Sequence, residues 1–174
     1  MSAYSARRLV AVLYCLSAVA GTVPAAAAAP NNNASAFAAI LHPINVIKTA
    51  DLDFGYVAAG ATAGAVVIDP ETNATAAAGG ALLLGEAPHA AGFTGAAGSS
   101  NVVNIKIPKQ PITLTRAGGT QTMTVSKFTL QGLDKRFAAK QVAFDFRVGA
   151  TLNVGANQLD GTYFGAFDVT VQYP

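Results

Sequence analysis

The side chains best suited to chemistry at neutral pH are His42 and His89, the two histidines of this 174-residue chain. Imidazole binds metals and moves protons in that range. Neither histidine has a second ligand at metal spacing, so no metal site is expected. Asp51 and Asp53 stand at i and i+2, on one face of an extended strand, where two carboxylates can hold a hard cation. The simpler reading gives them a turn or edge role. Ser99 and Ser100 sit in a glycine-rich stretch without the G-x-S-x-G pattern that exposes a nucleophile on a sharp turn. Gly92, Gly95 and Gly98 do not match a phosphate-binding fingerprint. The triplets Asn33-Ala34-Ser35 and Asn73-Ala74-Thr75 fit a glycosylation acceptor, but behind a bacterial-looking leader they are read as chance. No nucleophile is paired with a base, and no carboxylate pair lies in a recognisable cleft. A non-enzymatic protein with no catalytic residue and no cofactor is expected.

What remains is a scaffold of strands, organised around the stretch from Arg147 to Tyr173. Within it Phe167, Val169, Val171 and Tyr173 alternate with Ala166, Asp168, Thr170 and Gln172, the period of a strand with one buried face. Before it, turn residues run from Gly155 to Gly161, and Phe144, Phe146 and Val148 alternate with Ala143, Asp145 and Arg147. Amphipathic strands of this kind need a second apolar layer. The expected fold class is an all-β, immunoglobulin-like antiparallel β-sandwich.

The first residues form a targeting segment and stand outside the fold. Arg7 and Arg8 precede an apolar run from Leu9 to Ala20, and small residues continue from Gly21 to Ala29, which reads as a secretory signal peptide over residues 1–28. Cleavage is expected near Ala27 or Ala28. The apolar run is too short for a stable span, and no membrane span is expected in the mature chain. Cys15, the only cysteine, lies inside that run behind Tyr14, which is not the small residue that lipidation requires. The mature chain has no disulfide and depends on its sheet and core. The net charge of +2 comes from Arg7 and Arg8, since the other nine Lys and Arg balance nine Asp and Glu. A neutral domain with scattered charge offers no footprint for nucleic acid.

Residues 29–42 form an N-terminal extension or first strand, and residues 43–174 the sandwich. If the extension is extended, Ala34, Ala36, Ala38 and Ile40 share one face, and Ser35, Phe37, Ala39 and Leu41 the other. It is either an ordinary first strand behind an Asn-rich leader or an arm that pairs with a neighbouring subunit. Further strands are expected at Ile44–Val46, Leu52–Gly55, Ala65–Ile68, Ala81–Leu84, Val103–Ile107, Ile112–Thr115 and Met123–Leu130, the last with a β-bulge near Ser126 and Lys127. Turns are expected at Gly60–Gly64, Asp69–Asn73 and Arg116–Gly119. The stretch from Leu133 to Val142 reads as a loop, and the glycine-rich run from Gly85 to Asn101 has no secure strand boundaries.

These residues resemble one family, catalogued as domain of unknown function 4402: small secreted β-proteins of Gram-negative bacteria. The resemblance is carried by Ile44 to Gly60, by V-V-I-D-P from Val66 to Pro70, by Thr122 to Phe128, and above all by the stretch from Val148 to Tyr173. It implies an exported sandwich similar to fimbrial subunits, assembled with a periplasmic chaperone and other copies of itself. On that resemblance Ala34, Ala36, Phe37, Ala38 and Ile40 would form a donor strand completing the next subunit's sheet. Phe167, Val169, Val171 and Tyr173 would form the closing strand that faces the chaperone. The expected function is a structural subunit of a surface filament or fimbria-like assembly, exported to the periplasm and cell surface. The alternative is a self-complete secreted or surface module for binding or adhesion.

Overall fold

The computed structural model describes residues 37–38, 40–85 and 88–174. One unit runs from Ala39 to Pro174, and the fold below is that unit's. Eleven strands follow in chain order: β1 Ile44–Ala50, β2 Tyr56–Ile68, β3 Thr75–Leu84, β4 Ala91–Ala97, β5 Asn101–Lys106, β6 Ile112–Arg116, β7 Thr122–Leu130, β8 Lys135–Ala138, β9 Ala143–Val154, β10 Tyr163–Phe164 and β11 Thr170–Gln172. No helix occurs among the described residues. The strands build two sheets with antiparallel ladders, an eight-stranded one that curls strongly and a three-stranded one of order β11-β5-β8. This is the all-β sandwich class expected from the alternating patterns.

Strand β9 is the centre of the large sheet. Its first half pairs with β4 from Ala143 to Val148, its second half with β2 from Thr151 to Val154, and its other edge with β7. A strand flanked on both edges and covered on both faces loses its period-2 signal, because both faces must be apolar or small. Accordingly Val148, Gly149, Ala150, Thr151 and Leu152 are all buried in succession. The expected bulge in β7 is present: the register against β9 shifts between Ser126 and Thr129, and Lys127 takes a positive φ of 49°.

Leu52–Gly55, expected as a strand, holds only an isolated bridge from Asp53 to His89, and three further departures from the sequence reading have physical reasons. The turn expected at Gly60–Gly64 is a corner inside the continuous strand β2. Ala59 pairs with Ala81 and Gly64 with Gly79, so β2 advances five residues where β3 advances two. The surplus folds the hairpin over, and the two backbones touch. A Cβ on Gly80 would stand 1.9 Å from the Thr62 carbonyl oxygen, and one on Gly64 would stand 2.2 Å from the Ala81 nitrogen. The glycines therefore permit a close approach rather than a reversal. The second departure is β4, which lies in the glycine-rich run between β1 and β9. Its Gly95 faces Phe144, whose ring occupies the space a Cβ would need at 2.4 Å. The third is β8, a four-residue edge strand inside the stretch expected to be a loop.

Introducing a side chain at the corner should be costly. Gly80→Val is expected to destabilise the domain by about 3 kcal/mol, at the upper end for overpacking, because the clash is with backbone. The comparison is Leu82→Ala in the same strand, at a side chain 60% exposed, which should shift stability by less than about 0.5 kcal/mol. Urea unfolding of the two variants measures both.

Candidate functional site: an apolar groove in the large sheet

The small sheet covers only part of the large one. Where it does, Ile105 of β5 packs with Phe146 and Val148 of β9, and Val171 and Phe167 close over them. Beyond the small sheet the large sheet curls around its own core of Val66, Ile68, Val125, Leu152 and Val154. The folded-over end of the β2–β3 hairpin brings Val57 and Leu83 back onto that core, and Phe54 is buried against it on the β1–β2 crossing. The curl does not close. It leaves a cavity of about 1100 Å³.

The floor of this groove is made by Ile112 and Leu114 of β6, Met123 and Val125 of β7, and Leu152 and Val154 of β9. Val125, Leu152 and Val154 are buried, while Ile112, Leu114 and Met123 are half-buried. All six stand at alternate positions, as one face of a pleated sheet requires. One wall is Tyr56 to Ala59 of β2, and the other is the stretch from Gln158 to Phe167. Both walls have backbone to spare. Tyr56 to Ala59 pair with β3, but the opposite edge of β2 is laddered to β9 only from Gly64 to Val67. Tyr163 and Phe164 pair with β6 on one edge and with no strand on the other among the described residues. An apolar floor between two unused strand edges is the arrangement that accepts an added strand.

The second wall is fixed by polar contacts around Tyr163. Its hydroxyl donates to the Leu159 carbonyl at 2.7 Å and accepts from Gln158 Nε2 at 2.7 Å. Arg116 Nε donates to the Asp160 carbonyl at 2.6 Å, and Ala117 N to the Thr162 carbonyl at 2.8 Å. The wall therefore holds its shape without lying in a long ladder.

The closing residues fall where their period puts them. Phe167, Val169, Val171 and Tyr173 are each half-buried, and Ala166, Asp168, Thr170 and Gln172 are each exposed. Only Thr170 to Gln172 are laddered, against Lys106 to Asn104 of β5. The ring of Phe167 packs 5.1 Å from that of Phe128, centroid to centroid, and Tyr173 joins the cluster of Ala97, Val103 and Ala138. The Tyr173 hydroxyl also accepts from Ser99 N at 3.2 Å. Of the candidate donor residues, Ala34 and Ala36 lie outside the described residues. Phe37, Ala38 and Ile40 belong to no strand, and Phe37 and Ile40 are 95% and 94% exposed.

The residues first considered for chemistry are occupied structurally. Asp53 bridges to His89 through paired backbone bonds of 3.0 and 2.8 Å, and its carboxylate accepts from Gly55 N at 2.8 Å. Asp51 pairs with Lys48. Asn73, with a positive φ of 60°, accepts from Ala90 N at 2.8 Å through its side chain. Among the described residues no three His, Cys, Asp or Glu side chains converge. Burial lowers the Arg136 pKa, opposed by nearby Glu71. Arg136 donates to the Gln131 and Leu133 carbonyls and lies 5.9 Å from the Phe146 ring centroid, so it braces the β7–β8 connection. The residues that line the groove were not named at the sequence level, although the paired glycines of β2 and β3 that bend its wall were visible.

Fold and groove together define an antiparallel β-sandwich with one sheet incompletely covered. The chain belongs to the family described as domain of unknown function DUF4402, whose model matches residues 44–173. No curated protein and no solved structure matches it.

The two aromatic residues flanking Gly165 should separate closure from wall lining. Phe167→Ala removes a half-buried ring packed on Phe128 and should cost about 2–4 kcal/mol in thermal or urea unfolding. Phe164→Ala, at a ring 62% exposed, should stay within about 0.5 kcal/mol.

Proposed function

We propose that this protein is a structural subunit of a surface filament, exported across the inner membrane and joined to like subunits by β-strand addition. The observation that carries the reading is the groove of about 1100 Å³, with an apolar floor between two strand edges that no other described strand uses. A strand laid there satisfies backbone donors and acceptors on both sides and removes the floor from water. The signal peptide over residues 1–28 and the segment from Ala34 to Ile40 supply the export route and a strand to add. The same groove exposed before assembly is a hazard, which is the physical reason a chaperone partner belongs to the proposal. The alternative, a self-complete secreted or surface module for binding or adhesion, places the arm in the domain's own sheet.

The test is the native state of the exported protein. Unboiled and boiled denaturing gels of material from the cell surface, with electron microscopy of the same sample, should give a ladder that collapses on boiling and thin fibres. Deleting residues 29–41 should abolish both while leaving export and the folded domain intact. A single monomer band from the full chain, with no fibres, overturns the proposal in favour of the self-complete module.

A further inference from the structure

We infer that the outer face of the three-stranded sheet docks on an anionic lipid surface, with Phe137 and Val102 entering the headgroup layer and the lysines around them meeting lipid phosphates. That face is the side of β5, β8 and β11 turned away from the core. Along β5, Val103 and Ile105 are buried, which turns Val102, Asn104 and Lys106 outward. Val102 pairs with Phe137 and Asn104 with Lys135, so Phe137 and Lys135 share that side. Thr170 and Gln172 join it opposite Lys106 and Asn104. The groove belongs to the other sheet, and none of these residues lines it.

The solvated face of an antiparallel sheet is normally polar. Here Phe137 is 68% exposed and Val102 39%, directly opposite each other on strands about 5 Å apart. Leu133, two residues before Lys135, is 73% exposed. Cations surround this apolar group. Lys106 and Lys135 stand on the face, and Lys140 follows just past β8, its backbone N donating to Ser100 Oγ at 2.9 Å. All three are exposed, and none pairs with a carboxylate among the described residues. Asp134 and Asp168 are the nearest acids in sequence, one just before β8 and one two residues before β11. Asp51, Asp53, Asp69, Glu71, Asp145 and Asp160 all belong to strands and connections of the large sheet.

The mixture decides the occupant. Protein interfaces gather their apolar anchors in a closely packed centre from which lysine is depleted. On this face a lysine lies one residue pair, about 7 Å along the strand, from the exposed ring. A second copy applied by two-fold symmetry would set the same lysines against each other. An anionic bilayer satisfies both kinds of side chain at one depth: its phosphates attract the ammonium groups, and the boundary below them takes up the ring and the valine.

The test is flotation of the full chain with vesicles of phosphatidylcholine alone, or with about a third of the lipid as phosphatidylglycerol. Binding to the mixed vesicles is expected, weakening as salt is raised, with little binding to the neutral ones. One lysine near such a surface contributes about fivefold, so Lys135→Glu and Lys106→Glu should each lower partitioning about twenty-fivefold. Phe137→Ser should lower it about tenfold. Lys127→Glu changes the net charge equally from the β7 bulge and should lower it less than about threefold. Phe137 and the three lysines are exposed, so urea unfolding curves should stay unchanged. If Phe137→Ser loosens edge strand β8, the two lysine variants still decide the matter. Equal binding to both vesicle types, or equal losses from Lys127→Glu and Lys135→Glu, overturns the inference. Binding to soluble polyglutamate that matches binding to vesicles and is unchanged by Phe137→Ser assigns the face to an acidic protein instead. Self-association in the absence of lipid that Phe137→Ser abolishes assigns it to a second copy. Either result overturns the lipid assignment while leaving strand addition, which is read without lipid, standing.

Discussion

An apolar sheet face must be covered, and in this protein two sheets of unequal size are set to cover each other. Strand β9 makes the inequality unavoidable. It is long enough to pair with β4 along its first half and β2 along its second, so the large sheet extends well past the three strands opposite. Over the first half the cover is complete, and Phe146 and Val148 are almost fully buried. Over the second half the sheet has to supply its own cover by curling. Both the closed core and the open groove follow from that division.

The corner in the β2–β3 hairpin is the device that makes the curl. Gly60, Gly64, Gly79 and Gly80 let the two backbones come closer than any side chain would allow, and the three surplus residues of β2 turn the hairpin end inward. That bend packs the half-buried Val57 and Leu83 against the core. It also separates Tyr56–Ala59 from β9, so the device that covers part of the floor creates an unused strand edge beside the rest of it. A flat hairpin would keep its ladder and lose the groove.

Sequence reading succeeded where large and small side chains alternate. The strands through Val103, Ile112, Phe144 and Val171 announce themselves because one face is apolar and the other polar, and the parity change at Ser126 reveals the bulge. It failed where packing removes the alternation. In β4 both neighbours press close, so the buried residues Ala91, Gly92, Gly95 and Ala97 are all too small to mark a face. In β3, Ala76, Ala77 and Ala78 give no contrast either. Strand β8 is too short for a period. The groove is a property of how far the strands overlap, and overlap is set by register between residues far apart in the chain, such as Gly64 and Val154. No local pattern records it.

The closing segment ties these levels together. From Gly165 to Val169 it crosses from the large sheet to the small one, held at one end by two residue pairs to β6 and at the other by three to β5. So little ladder cannot fix it, and its position depends on side chains, with Phe167 on Phe128 and Tyr173 among Ala97, Val103 and Ala138. The strict alternation of its sequence is therefore required by packing rather than by pairing, which is why it is the clearest strand signal in a chain where it forms one of the shortest ladders. Because the same segment forms one wall of the groove, the packing that finishes the domain's own core also sets the groove's width.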